Sequence, residues 1–324
     1  MTFRHFMSWK PLFYEGLLPA LRLLGPARAD AVLGWLGQLT SWAWPPRRHE
    51  LEQALARART AYELSSSPRT SCALLAASTL RFLARDCPLD HAAEAAFFAR
   101  FDVKGFEHVN QVLAQTNGVI LLGNHVGGYL AGIHWLYRRG LPLRLLVQRP
   151  QHVSKFLRSR FDRRDGPYPQ PDLFLRRGLA PDAAAERMLR ALAALRDGMA
   201  VYLTGDIPWT SPNARPGRLL GQSHTFLSVW ADLAAVTRVP VVPLFCTHRP
   251  GGRYALTFDA PLTLAPGDEA EAVTQFLERL DAEIAVRPTE AVAHLLWPCY
   301  RTSTDSVPSI HESNSISADK LLST

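Results

Sequence analysis

From Gly118 onward, short apolar runs alternate with segments of helical period. The runs are Val119–Leu122, Leu143–Val147, Met199–Leu203 and Val239–Cys246. Each is continuous rather than alternating, the pattern of a strand covered on both faces. Between them, Tyr129–Arg139, Ser154–Phe161, Ala183–Arg196 and Ser223–Thr237 are patterned as helices. Strand and helix in turn predict an α/β fold, a mostly parallel central sheet flanked by helices. Tyr254–Phe258 is expected as a further strand, antiparallel and at a sheet edge. Glu269–Ala285 and Thr289–Leu296 are expected as closing helices.

Before Gly118 the pattern differs. Residues 46–105 read as helices, broken at Pro45-Pro46 and over Ser65–Pro68. Residues 1–45 carry Phe3, Phe6, Trp9, Phe13, Trp35, Trp42 and Trp44, and Leu17, Leu18, Leu21 and Leu24 recur at helical spacing. Two readings stay open: a helix lying on a bilayer, or a helix packed on its own domain. The expected organisation is an N-terminal helical extension over 1–100, an α/β domain over 101–300 and a disordered tail over 301–324. That tail is rich in Ser and Asp and poor in apolar residues.

The chain has 324 residues, 47% of them hydrophobic, enough for a substantial core. The formal charge of +7 is concentrated. Between Arg138 and Arg190 thirteen Lys/Arg stand against five Asp/Glu, a local excess of +8. Such a surface suits an anionic bilayer, a phosphorylated carrier or nucleic acid, or is a plain solvated face. The segment lacks the interleaved aromatics that stack bases, so no nucleic acid is expected as a partner. Cys72, Cys87, Cys246 and Cys299 form no CxxC pair and read as reduced, ordinary residues. No run approaches about 18 uninterrupted apolar residues, so no transmembrane helix is expected. A signal peptide is not expected either. His152, His224 and His248 read as surface or structural, and no metal site is expected.

The candidate chemistry lies at the ends of two strands. His125 follows the first apolar run and precedes Gly127 and Gly128. Ligands of open α/β sheets bind at the carboxyl ends of the strands. The two glycines remove side chains beside the imidazole. Asp206 follows another run in Thr204-Gly205-Asp206. Two strand ends of one parallel sheet face the same edge, which brings His125 and Asp206 within reach of each other. The carboxylate would hold one imidazole nitrogen while the other takes a proton from a hydroxyl. Alternatively, Asp206 accepts local amide bonds in a turn before Pro208. No Ser lies in a G-x-S-x-G elbow, so no acyl-enzyme is expected.

In this order, GVILLGNHVGGY (118–129), VQRP (147–150), MAVYLTGD (199–206), TRVPVVPLF (237–245) and RYALTFDAPL (253–262) resemble the lysophospholipid acyltransferase superfamily. The likeness is nearest to its branch of bacterial lipid A late acyltransferases and phosphatidylinositol mannoside acyltransferases. FLERLDAEIAVRPTEAVAHLLW (276–297) resembles that branch's terminal helices. The resemblance implies a peripheral or monotopic enzyme on the cytoplasmic face of the inner membrane. It would move a fatty acyl group from acyl-CoA or an acyl carrier protein to a hydroxyl of a glycolipid or lysolipid, with the thioester as substrate and no cofactor. It implies His125 as catalytic base and Asp206 as its acidic neighbour. Arg149 then lies near a substrate phosphate, with Gly127, Gly128, Tyr129, Trp209 and Arg218 as substrate contacts. Arg149 can equally pair with Asp162 or Asp165.

The chain departs from that family at one position. The family motif places an Asp or Glu after His and four further residues, and here that residue is Leu130. Either Asp206 alone orients His125, or the chain binds lipid without turning it over.

Overall fold

The computed structural model describes residues 11–62, 72–115, 118–162, 173–175, 180–210 and 214–300. The expected tail lies outside the described residues, as does part of the arginine-rich segment.

The two most apolar runs form the strands β2 (Val119–Gly123) and β4 (Ala200–Thr204), buried at every position. With β1 (Phe101–Lys104), β3 (Leu143–Leu145), β7 (Val241–Arg249) and β8 (Arg253–Phe258) they make a six-stranded sheet of order β1-β8-β7-β2-β4-β3. Every pairing is parallel except β7 with β8. The fold is therefore α/β with a mostly parallel central sheet and an N-terminal helical region.

The strand pleat divides the core in two. Ile120, Leu122, Val201, Leu203 and Val241 face one side. There they meet α3 (Pro45–Tyr62), α4 (Cys72–Ala84), α9 (Pro181–Arg196), α10 (Val229–Thr237), α11 (Glu269–Val286) and α12 (Val292–Leu296). Val119, Leu121, Ala200, Tyr202 and Val242 face the other side, against α6 (Phe106–Gln115), α7 (Tyr129–Arg138) and α8 (Lys155–Phe161). Both faces are covered, which is why the strands read as continuous apolar runs.

The N-terminal helices take part in this packing. Leu51, Ala54 and Leu55 of α3 belong to the same buried cluster as the strands. Ahead of them, α1 (Leu18–Leu24) and α2 (Pro26–Ala43) bury Leu18, Leu21, Ala29 and Leu33 with Phe13. The short α5 (Glu94–Phe98) leads into β1.

Three elements differ from the sequence expectation. Phe101–Lys104, inside the stretch read as helical, is the strand β1, and only Phe101 of its four residues is buried. An edge strand with Asp102 and Lys104 facing water leaves no apolar run to see. Because β1 pairs β8 in parallel, Tyr254–Phe258 is antiparallel to β7 as expected but is not at the edge. Ser223–Leu227, read as the start of a helix, is strand instead. β5 (Ala214–Leu219) and β6 (Gln222–Leu227) form a hairpin, and α10 begins only after Ser228. The hairpin turns on Leu220 and Gly221, with φ of 54° and 71°. Positive φ at both central positions is the primed turn that suits a hairpin, and leucine at the first position hides that signal. Asp281 Oδ1 secures the turn, accepting from Leu220 N at 2.8 Å and from the Tyr62 hydroxyl at 2.6 Å.

Helices α2 and α4 approach closely at Gly37. A Cβ on Gly37 would lie 2.5 Å from Ala77 N and 2.7 Å from Ala77 Cβ. Neither backbone can yield locally, so the helices would have to separate. Gly37→Ala is expected to destabilise the fold by about 1–3 kcal/mol despite alanine's better helix propensity. Urea unfolding of the variant against the parent measures this.

Candidate active site

The register of the central strands builds the site. β2 pairs β4 in parallel with Gly123 opposite Thr204, the last residue of each strand. Two residues further along, each chain presents a polar side chain at the same edge: His125 from one, Asp206 from the other. Between them, Gly205 N donates to the Gly123 carbonyl at 3.0 Å. Asn124 fixes the exit of β2: its Nδ2 donates to the Leu244 carbonyl at 3.0 Å and its Oδ1 accepts from Val126 N at 3.0 Å.

The Asp206 carboxylate is fully buried and accepts three hydrogen bonds. His125 Nδ1 lies 2.9 Å from Oδ1, and the His125 backbone N–H donates to Oδ2 at 2.6 Å. His294 Nε2, from α12, lies 2.9 Å from Oδ2. The Tyr300 hydroxyl donates to the Asp206 carbonyl at 2.6 Å. Burial alone would raise the pKa of Asp206. The His125 imidazole, its hydrogen bond and then the His294 bond outweigh burial and hold the carboxyl well below the usual carboxylate range. An ionised Asp206 fixes the hydrogen of His125 on Nδ1. The other nitrogen, Nε2, has no hydrogen bond among the described residues. The His125 side chain is 12% exposed, so it is not walled in.

Aromatic rings flank the imidazole. Tyr129 lies 5.0 Å and Trp297 5.4 Å from it, ring centre to ring centre, and Phe82 packs against both. A small cleft opens beside them, lined by Arg81, Phe82 and Arg85 of the α4 end and by Gly127, Gly128 and Tyr129. His248 also faces it, its pKa lowered to about 4, first by burial and then by the Arg81 charge. Arg81 Nε is paired with Asp30 Oδ1 at 2.7 Å, and the Arg85 guanidinium reaches the Gln151 carbonyl.

The glycines also serve the packing of the loop. Gly127 has φ +62°, and a Cβ there would lie 2.6 Å from the Cys246 carbonyl oxygen and 2.7 Å from Glu290 Oε2. A Cβ on Gly128 would lie 2.7 Å from the Tyr254 ring. The missing side chains let the loop press against β7 and β8, and the same glycines line the cleft. Leu130 is buried in the apolar cluster on the α7 side and borders the same cleft.

Other expected contacts are not gathered at the His125 group. Arg149 is exposed, pairs with Asp162 and lies over the Phe174 ring. Trp209 is tied to β6 through its backbone, accepting from the Thr225 hydroxyl, with its side chain exposed. Arg218 is exposed on β5 opposite Ser223. None of the three bonds or pairs with His125, Asp206 or His294. His294, Tyr300, Arg81 and Arg85 were missed, since each reaches the site by tertiary packing from a helix or its end. No disulfide joins the described cysteines, and among the described residues no cluster of three His, Cys, Asp or Glu is placed to hold a metal. No helix among the described residues is long and apolar enough to cross a membrane.

An imidazole held by an ionised carboxylate at the carboxyl edge of a parallel sheet is suited to taking a proton from a hydroxyl. The sequence comparisons give the chain its family. The model of the bacterial lipid A biosynthesis acyltransferase family matches residues 2–292, and the chain belongs to that family. Membership places it among the acyltransferases of lipid biosynthesis. Among solved structures it is similar to the 1-acyl-sn-glycerophosphate (LPA) acyltransferase PlsC from Thermotoga maritima. The identity is 14% and the TM-score 0.36, over 85% of this chain and 97% of that one. No curated protein matches the chain.

Glu290 supports the loop from behind. Its carbonyl accepts from Gly127 N at 3.0 Å and its Oε2 from His248 N at 2.7 Å. Burial raises its pKa from 4.5 to about 7, against the smaller opposing pull of the His248 amide and of Arg287 and Arg81. Between those values the folded chain keeps a proton that the unfolded chain has released. The contribution of Glu290 to stability therefore falls as pH rises through that window. Glu290→Gln keeps the acceptor and removes the titration. Urea midpoints of the variant, measured across the window, are expected to decline less with pH than those of the parent.

Proposed function

We propose that the protein transfers a fatty acyl group from acyl-CoA or an acyl carrier protein thioester to a hydroxyl of a glycolipid or lysolipid at a membrane surface. The observation that carries this reading is the bond between His125 Nδ1 and the buried Asp206 carboxylate, which leaves Nε2 as the base. Nε2 takes the acceptor hydroxyl proton as the oxygen attacks the thioester carbonyl. A C–O bond forms, the C–S bond breaks, and the imidazolium returns its proton to the departing thiolate. Asp206 does what the motif acid does in the resembling family: it fixes the tautomer and steadies the imidazolium. The Tyr129, Trp297 and Phe82 rings offer an apolar wall for the acyl chain. Arg81 and Arg85 bring positive charge to the cleft, where a donor or acceptor phosphate is held. Gly127, Gly128 and Tyr129 contact substrate along the same cleft, and Arg149, Trp209 and Arg218 serve as outlying contacts.

The membrane-facing surface in this reading is α2 with its flanks. Trp35, Leu39 and Trp42, at i, i+4 and i+7, are 61%, 39% and 78% exposed, with Leu23 and Trp44 exposed nearby. Tryptophan rings on one helix face suit the headgroup level of a bilayer. The side assigned to the protein is the cytoplasmic face of the inner membrane, where acyl thioesters are made. Leu130 favours a second reading, a lipid-binding relative without turnover, and the same experiment separates the two.

With labelled acyl-CoA and acyl carrier protein thioesters over a panel of lipid acceptors, the parent is expected to transfer acyl groups. His125→Ala is expected to abolish transfer, and Asp206→Asn to slow it by about 10²- to 10⁴-fold. Equal thioester consumption by parent and His125→Ala sinks the base role. Absence of transfer by the parent across the panel favours the silent reading. Separately, Trp35→Glu with Trp42→Glu is expected to release the protein from vesicles rich in anionic phospholipid, read by flotation, without altering its unfolding midpoint.

A further inference from the structure

A histidine in α12, outside the resembling family's motif, takes part in the same carboxylate. We propose that His294 is a positioning residue for the base: by donating Nε2–H to Asp206 Oδ2 it fixes the carboxylate that orients His125. The inference rests on the base role given to His125 above.

Three observations carry it. First, the donors divide the carboxylate. His125 holds Oδ1 through Nδ1 and reaches Oδ2 only through its backbone N–H, so among the described residues the side chain bonded to Oδ2 is His294. A carboxylate held on one oxygen alone can swing about its Cβ–Cγ bond, and the second side-chain donor stops that rotation. Second, His294 is not placed to satisfy itself. It is 1% exposed, and its buried Nδ1 has no hydrogen-bond partner among the described residues. A residue kept for packing alone does better as leucine here, because leucine buries no unpaired nitrogen. With Nε2 carrying the hydrogen that Asp206 accepts, Nδ1 is the bare nitrogen of the neutral tautomer. Third, the end of the helix is anchored to the same residue. The Tyr300 hydroxyl donates to the Asp206 carbonyl, and the Tyr300 ring lies 4.7 Å from that of His294. The closing segment thus grips Asp206 at backbone and side chain together.

The consequence is a separation of stability from chemistry. His294→Leu removes the Oδ2 donor and the orphaned nitrogen at once. It is expected to melt no lower than the parent and to lower kcat about tenfold with KM unchanged. His294→Gln, whose amide N–H can reach Oδ2, is expected to recover most of that loss.

The decisive test is a double-mutant cycle with Asp206→Ala, run on the full chain with palmitoyl-CoA and a lysolipid acceptor. It is read alongside histidine-labelled ¹⁵N NMR, which needs no turnover. If His294 acts through Asp206, His294→Leu has no further effect on kcat in the Asp206→Ala background. The His125 Nδ1–H resonance then moves in His294→Leu and returns towards its parent position in His294→Gln. An equal fold-loss in both backgrounds, or a His125 resonance unmoved by His294→Leu, overturns the proposal. Should His294→Leu not fold, His294→Asn replaces it under the same outcomes, since its amide is too short to reach Oδ2. Should the parent not turn over this pair, the resonance alone decides. Failure of the base reading looks different: His125→Ala then matches the parent whatever stands at 294.

Discussion

One carboxylate, without access to water, ties the sheet edge to the C-terminal segment. Asp206 accepts from the backbone of one strand exit, from the imidazole beside it and from a histidine 88 residues further along the chain. Burying a lone carboxylate is prohibitive, and each donor is what makes the burial tolerable. Hydrogen bonds to a charged acceptor contribute about 1.5–3 kcal/mol each, and leaving that acceptor unmatched costs more. The exits of β2 and β4, the end of α12 and the Pro298–Tyr300 turn therefore move as one unit or not at all.

That constraint explains how a sheet edge tolerates Leu130. In the motif of the family the chain resembles, the acid stands five positions after the histidine. Here that position, in the first turn of α7, is Leu130, which packs with Ala131 and Ile133 in the cluster that α7 lays on the sheet. The acid arrives instead across one strand pair, from a position fixed by parallel register and not by helical spacing. Since Gly123 faces Thr204, His125 and Asp206 are each two residues beyond the last pair, and their meeting follows from the sheet alone.

This is also why part of the site was legible in the sequence. The runs ending at Leu122 and Leu203 are unbroken and apolar, so both were readable as covered parallel strands whose ends share an edge. His125 and Asp206 could then be paired without coordinates. The sheet's far side was less legible. Phe101–Lys104 gives only one buried residue, and the β5–β6 hairpin turns on Leu220 where a glycine or asparagine would have announced it. Arg149 ends a strand-like run in a basic segment, and of its two readings the structure shows the ion pair with Asp162. Arg81, Arg85, His294 and Tyr300 carried no local signal, because helix-borne side chains find their partners only through packing.

The aromatic and basic walls of the cleft follow from the same division of labour. The sheet edge supplies His125 and Asp206, while the helical region supplies what surrounds them: Phe82, Arg81 and Arg85 all come from α4 and its end. α4 is pressed against α2 at Gly37, and α2 carries the exposed Trp35 and Trp42 on its outer side. The helix that walls the cleft is thus rigidly coupled to the helix that presents tryptophan to the surroundings.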